Sequence, residues 1–307
     1  MQSMHQISIA LSRQTWVMNC MVICTRQIAR DVACFEPVSG SNCEEDLMAT
    51  VSEFNVFGEE IEKLMLLRTS PLAVKMLEKE SDIPEGAVRP KADQGYHLAQ
   101  CQVFSICRKK GQSIAMLKDD HWCWGPLIAY GLVEPGIAEK FPELKDAVKK
   151  VPLIEYGRYI GIVSAPLKTA NFVPDAVLIY SNNAQLNNIL WALSFGGEGL
   201  INSPMYPITS CAFSVVPALS GQYCITLPDP GELGRAQAGE DEIIFSLPKD
   251  KVAGLMSQLR MFEERKMGYR HHALWEVMPD FPRPEFYKNF YRECGLEADD
   301  IPTWPAR

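Results

Sequence analysis

"SIAMLKDDHWCWGPLIAYG" (Ser113 to Gly131) is the stretch from which the fold is read. "SIAML" is a short apolar run between polar residues, the pattern of a buried strand. Pro126 then begins a helix that reaches Gly131. Between them lies "DDHWCWGP" (Asp119 to Pro126), a turn holding two acids, a histidine, a cysteine and two tryptophans. The turn therefore follows a strand's carboxyl end and precedes a helix N-terminus. In α/β proteins that is where ligands gather. One strand–turn–helix step thus points to both an architecture and the edge of a site.

Outward from this step the chain keeps the same grammar. Glu53 to Arg68 reads as an amphipathic helix, with Phe57, Ile61, Leu64 and Met65 on one face. "PLAVKML" (Pro71 to Leu77), "YIGIVSAPL" (Tyr159 to Leu167), "DAVLIY" (Asp175 to Tyr180), "YCITL" (Tyr223 to Leu227) and "DEIIFSL" (Asp241 to Leu247) read as strands. His97 to Arg108, Phe141 to Lys150 and Lys249 to Glu264 read as helices. Another helix begins at Asn182, with Gln185 placed as its capping-box partner, and stops at Gly196-Gly197. "PITSCAFSVV" (Pro207 to Val216) reads as a short helix or irregular buried segment, and "PDPGELGRAQAGE" as a polar, Gly-rich loop. Two strand pairs lack an intervening helix, which favours a mixed sheet over a purely parallel one. The expected fold is α/β (α+β), a single domain with a mixed sheet flanked by helices.

Three parts are expected: a leader over 1–47, the α/β domain over 48–266, and a Pro- and aromatic-rich tail over 267–307. The leader contains "TWVMNCMVIC" (Thr15 to Cys24), too short to span a bilayer. It reads as a dispensable extension, with Met48 as the natural start. The 307 residues carry a net charge of -8 without a dense basic cluster, which argues against nucleic acid as a partner. Ten cysteines are spread without the density of a disulfide scaffold, which points to a cytoplasmic home. No membrane span is expected.

Cys101, Cys123 and Cys211 lie outside the expected strands, each beside small or polar neighbours. Brought together, three thiolates would hold zinc or an iron–sulfur cluster. No Cys-x2-Cys pair supports this, and core or loop thiols are the competing reading. Cys107 follows Cys101 by a rotation of about 240°, so both cannot face one site from a regular helix. Cys224, inside a strand, reads as core. A second reading makes Cys123 a nucleophile, His121 its base, and Asp119 or Asp120 the group orienting the imidazole. Trp122 and Trp124 read as pocket walls. Lys75, in an apolar strand, needs a carboxylate or an anionic ligand, unless that face of the strand is wet. Arg89 and Arg235 lie in loops where they could contact an anion. "FGGEGL" lacks the Lys-Ser/Thr of a phosphate loop and reads as a helix stop. "GEDE" reads as a solvated strand entry, and His271-His272 as surface.

From about Val56 to about Glu264 the chain resembles the family called domain of unknown function 169, of archaea and anaerobic bacteria. The resemblance rests on "SPLAVKML", "IPEGAVRPK", "CQVFSICRKKG", "DDHWCWGP", "FVPDAVLIYSNNAQ", the isolated Cys211, "LPDPGELGR" and "DEIIFSLP". The family pattern has Asn-Pro-x-Gln where this chain has Asn182-Asn183-Ala184-Gln185. The resemblance places Cys101, Cys123 and Cys211 at family motif positions and implies a shared cysteine site. The anaerobic distribution ranks an iron–sulfur cluster ([4Fe-4S]) above zinc. The function expected is thus a metal- or cluster-binding protein, a redox or lyase/transfer enzyme, with Cys101, Cys123 and Cys211 as ligands. His121 would donate protons and Lys75 contact an anion. Two alternatives stand beside it: a non-enzymatic small-molecule binding or accessory module with structural cysteines, and a metal-free cysteine enzyme.

Overall fold

The computed structural model describes residues 49–271, 283 and 285–303. The expected leader, and much of the expected tail, lie outside the described residues. Six strands form one sheet: β1 (Leu72–Leu77), β2 (Ile114–Leu117), β3 (Gly161–Pro166), β4 (Ala176–Ser181), β5 (Cys224–Thr226) and β6 (Ile243–Pro248). Their order is β2-β3-β1-β4-β6-β5. Every ladder between these strands is antiparallel. Parallel pairing is confined to isolated bridges, such as Val88 with Ile114 at the β2 edge.

The helices are α1 (Val51–Met65), α2 (Pro90–Gln94), α3 (Gln100–Lys110), α4 (Trp124–Ala129), α5 (Pro142–Val148), α6 (Asn183–Phe195), α7 (Ser210–Leu219), α8 (Pro230–Arg235), α9 (Val252–Glu264) and α10 (Phe286–Glu293). They cover both faces of the sheet, as the continuous apolar runs of the strands require. Along β1 the side chains alternate. Ala73 and Leu77 pack with Phe54 and Ile61 of α1, Ile189 of α6 and Leu255 and Phe262 of α9. Leu72, Val74 and Met76 pack with Val103 and Phe104 of α3, Tyr130 after α4, and Phe213 and Val215 of α7. The result is an α/β domain in three layers, with a central sheet between two sets of helices.

The caps fix where the helices start. Asn182 Oδ1 accepts from Gln185 N, and Gln185 Oε1 accepts from Asn182 N, both at 2.8 Å. This is the reciprocal cap read from the sequence. Gln185 Nε2 also donates to Met65 O and Leu66 O, at 2.9 and 3.1 Å, which ties the start of α6 to the end of α1. The expected irregular segment around Cys211 is helix α7. Part of the expected polar loop is helix α8, and both belong to the layer that carries the site.

Candidate functional site

Three cysteines come to one place from three elements. Cys101 is the second residue of α3, Cys123 the residue before α4, and Cys211 the second residue of α7. Cys101 and Cys211 are buried and Cys123 is half-buried. The turn before α4 is tied to α3 through Gln102. Its Oε1 accepts from Ala99 N at 2.9 Å and from Trp122 Nε1 at 3.3 Å. The starts of α4 and α7 meet at Gly125, where a Cβ would stand 3.0 Å from Thr209 Cγ2 and 4.0 Å from Cys123 Sγ. Glycine therefore admits Thr209 beside Cys123. Thr209 itself has φ 58°. A β-branched residue in this left-handed region costs about 1–3 kcal/mol, strain of a kind that collects at functional sites.

The short helix α8 completes the site. Asp229 Oδ1 accepts from Glu232 N at 2.9 Å, and Oδ2 accepts from Ser210 N at 3.0 Å. One carboxylate thus caps α8 and α7 and sets their first turns side by side. Glu232 is buried, and its two oxygens accept from Tyr180 Oη at 3.0 and 3.1 Å. Ser210 Oγ donates to it at 3.3 Å. Burial pushes the Glu232 carboxyl up to about 7, with Asp229 adding to the effect and Tyr180 and Arg108 opposing it.

One turn further along α8, Arg235 reaches the thiols. Its Nε donates to Cys101 Sγ at 3.4 Å and its Nη2 to Cys123 Sγ at 3.8 Å. The guanidinium carbon lies 4.8 Å from the centre of the Trp122 ring, a cation–π contact. Gly231 makes this possible, because a side chain there would collide with Arg235 Nη2 and the Asp229 carboxylate. Burial pushes the Cys101 thiol up to about 11, with the Arg235 donor working against it. Cys211 is driven well above the ordinary thiol range by burial first, then by Cys123, Asp229, Cys101 and Glu232 nearby.

This arrangement corrects the expectation of a metal or iron–sulfur centre on Cys101, Cys123 and Cys211. Among the described residues no group of three or more His, Cys, Asp or Glu side chains is placed to hold a metal ion. The physical reason lies in the neighbours. Arg235 places a fixed cation against two of the sulfurs. Neither a [4Fe-4S] cluster nor zinc is supported by this geometry.

The remaining candidates separate. His121 is buried, and neither ring nitrogen has a hydrogen-bond partner among the described residues. Burial lowers it to about 3, so the imidazole is neutral. Asp119 and Asp120 hold Arg89 and leave the imidazole alone. Asp120 is fully buried and accepts from Arg89 Nε at 2.6 Å, Leu117 N at 2.8 Å and Lys91 N at 3.0 Å. Asp119 pairs with Arg89 Nη2 at 3.3 Å. Lys75 lies between Ala73 and Leu77 in the alternation of β1, on the sheet face opposite the thiols. Cys107 Sγ donates to Ser164 O at 3.2 Å inside the core, apart from Cys101. Cys224 is buried in the same core cluster.

Sequence reasoning missed Glu232, Asp229 and the placement of Arg235, because it read their segment as loop. A signal was present. Asp229-Pro230-Gly231-Glu232 has an N-cap acid, a proline at the first helical position and an acid at the third.

Comparison with known proteins agrees with these motifs. The model of the DUF169 family, described as Uncharacterised ArCR, matches residues 60–258. The chain is also similar to the uncharacterized protein MJ0308 of Methanocaldococcus jannaschii, with 21% identity over 230 residues, covering 70% of this chain and 97% of that protein. No solved structure matches. All the residues gathered around Arg235 fall within the matched span, and the chain belongs to the DUF169 family.

Proposed function

We propose that this chain is a small-molecule-binding module in which Arg235 takes the anionic group of the ligand. The observation that carries the reading is the state of the Arg235 charge. Among the described residues no carboxylate lies within ion-pair distance of it, and its contacts are two sulfurs and an indole ring. Two other arginines of this layer are matched. Arg108 makes a bidentate pair with Glu242 at 2.6 and 2.7 Å, and Arg89 pairs with Asp120. A guanidinium held in place with spare N–H donors suits a carboxylate or phosphate. Trp122 is 51% exposed and offers an apolar edge beside it. Glu232, protonated in part near neutral pH, weakens the repulsion an anion would meet.

The named residues all fall in the 48–266 portion, and we place the function there. Among the described residues no helix is long and apolar enough to cross a membrane. The described cysteines are free thiols, which supports a cytoplasmic location. The test is calorimetric titration of the protein with inorganic phosphate and with acetate. Binding that falls at least tenfold in Arg235→Gln supports the reading, and equal binding in that variant rejects it.

One observation favours a second reading, a metal-free cysteine nucleophile. Cys123 is the accessible thiol of the three, and its sulfur accepts from Arg235. Alkylation by iodoacetamide concentrated on Cys123, and slowed in Arg235→Gln, would support it. Uniform slow labelling would remove it.

A further inference from the structure

The helices α4 and α7 begin at the thiol site and end at a different feature. The C-terminal end of α7 borders a cleft of about 390 Å³, and the end of α4 supports the loop that forms part of its wall. Gly131, just after α4, has φ +68°, and a side chain on it would collide with Ile154 O and Glu155 O. The loop carrying Glu155 and Arg158 is therefore laid against the end of α4. Ile154 N donating to Ala129 O at 2.8 Å and Gly157 N donating to Gly131 O at 3.0 Å hold it there. The last turn of α7, with Val216 and Leu219, lines the cleft as well. Thr209, Cys123 and Arg235 do not border this cleft, so it is separate from the proposed anion site.

Its charges are divided. Lys249 and Asp175 pair with each other at 3.5 Å, and Asp175 Oδ2 also accepts from Met76 N at 3.0 Å. Arg158 lies 5.1 Å from the Tyr159 ring centre and has no carboxylate within ion-pair distance among the described residues. Glu155 and Asp250, also at the cleft, have no cation within that distance among the described residues. Beside them the C-terminal end of α7 presents the negative pole of its dipole. Apolar side chains, Leu153, Val216 and Leu219, line the same cleft.

We infer that this cleft binds a small zwitterion with an apolar side chain, of the α-amino acid class. Arg158 takes the carboxylate. Glu155, Asp250 and the end of α7 take the ammonium group, and the apolar wall takes the side chain. A cavity of this size accommodates a small ligand.

The experiment titrates the full chain with L-leucine, with isovalerate (carboxylate only) and with isoamylamine (ammonium only), read by calorimetry. The expected result is saturable leucine binding that each single-charge analogue matches at least tenfold more weakly. Arg158→Gln and Glu155→Gln should each reduce leucine affinity at least tenfold. Both residues are exposed, so both variants should fold, as circular dichroism would verify. No leucine binding at 10 mM, isovalerate binding as tightly as leucine, or leucine binding unchanged in Arg158→Gln would each overturn the assignment.

Discussion

The helices on the two faces of the sheet are built to different rules. On one face α1, α6 and α9 meet the strands through an apolar layer that includes Phe54, Ile61, Ile189, Leu255 and Phe262. On the other, α3, α7 and α8 bury Arg108, Glu232, Ser210 and three thiols among their apolar contacts. Buried polar groups cost stability unless each is satisfied. Here each carboxylate has specific donors: Glu232 has Tyr180 and Ser210, and Glu242 has Arg108. The first layer holds the fold, and the second carries polar groups that packing alone does not require. The contrast supports the proposal of a function on the α3–α7–α8 side and can be broken by substitutions on either face.

The largest effect is expected from the apolar side. Phe262→Ala removes a fully buried ring from α9 and should cost about 4 kcal/mol by urea denaturation. Phosphate affinity of the folded protein should not change. A loss of binding there would erase the distinction between the faces. On the other side, Arg108→Ala leaves Glu242 without its bidentate partner in a mostly buried position. It should cost about 3 kcal/mol in the same assay.

Acidity sharpens the comparison further. Glu232 is raised from its ordinary 4.5 to about 7 in the folded protein. Between those values the folded state binds more protons than the unfolded one. Its contribution is therefore complete below pH 4.5 and lost as the pH rises through 7, up to about 3 kcal/mol. His121, lowered to about 3 by burial, acts in the opposite sense, and its contribution is lost as the pH falls from 6.5 towards 3. Glu232→Gln should therefore lose the declining component between pH 4.5 and 7, measured by denaturation at a series of pH values. A profile identical to that of the natural chain would remove Glu232 from the account. A smaller change is expected for Asp229→Ala, which removes caps from α7 and α8 at about 1 kcal/mol each. Its thermal midpoint should fall accordingly. Arg235→Gln, at an exposed position, should shift stability by less than about 0.5 kcal/mol.

All six strands were legible because each is an apolar run bounded by turn residues. The α6 cap was legible because Asn182 and Gln185 are three apart. Segment α8 was not, because six residues with two glycines carry little helical propensity. Its stability comes from Asp229 and from the buried bonds of Glu232, which exist only once Tyr180 and Ser210 arrive from elsewhere in the chain. The three cysteines were found from their sequence setting, but their partner was not. An arginine directed at two sulfurs looks like a surface arginine until the fold shows that it fills the space beside Gly231. Lys75 was misleading for a related reason. A polar residue in a strand announces that it faces something, but not which side of the sheet that is.

The central claim is that Arg235 is an anion receptor beside the thiols. The direct measurement follows the indole N–H resonance of Trp122 in protein labelled with ¹⁵N-tryptophan, assigned through Trp122→Phe, while inorganic phosphate is added. The account predicts a saturable shift of that resonance, absent in Arg235→Gln. A resonance that stays in place, or that moves equally in Arg235→Gln, would contradict it.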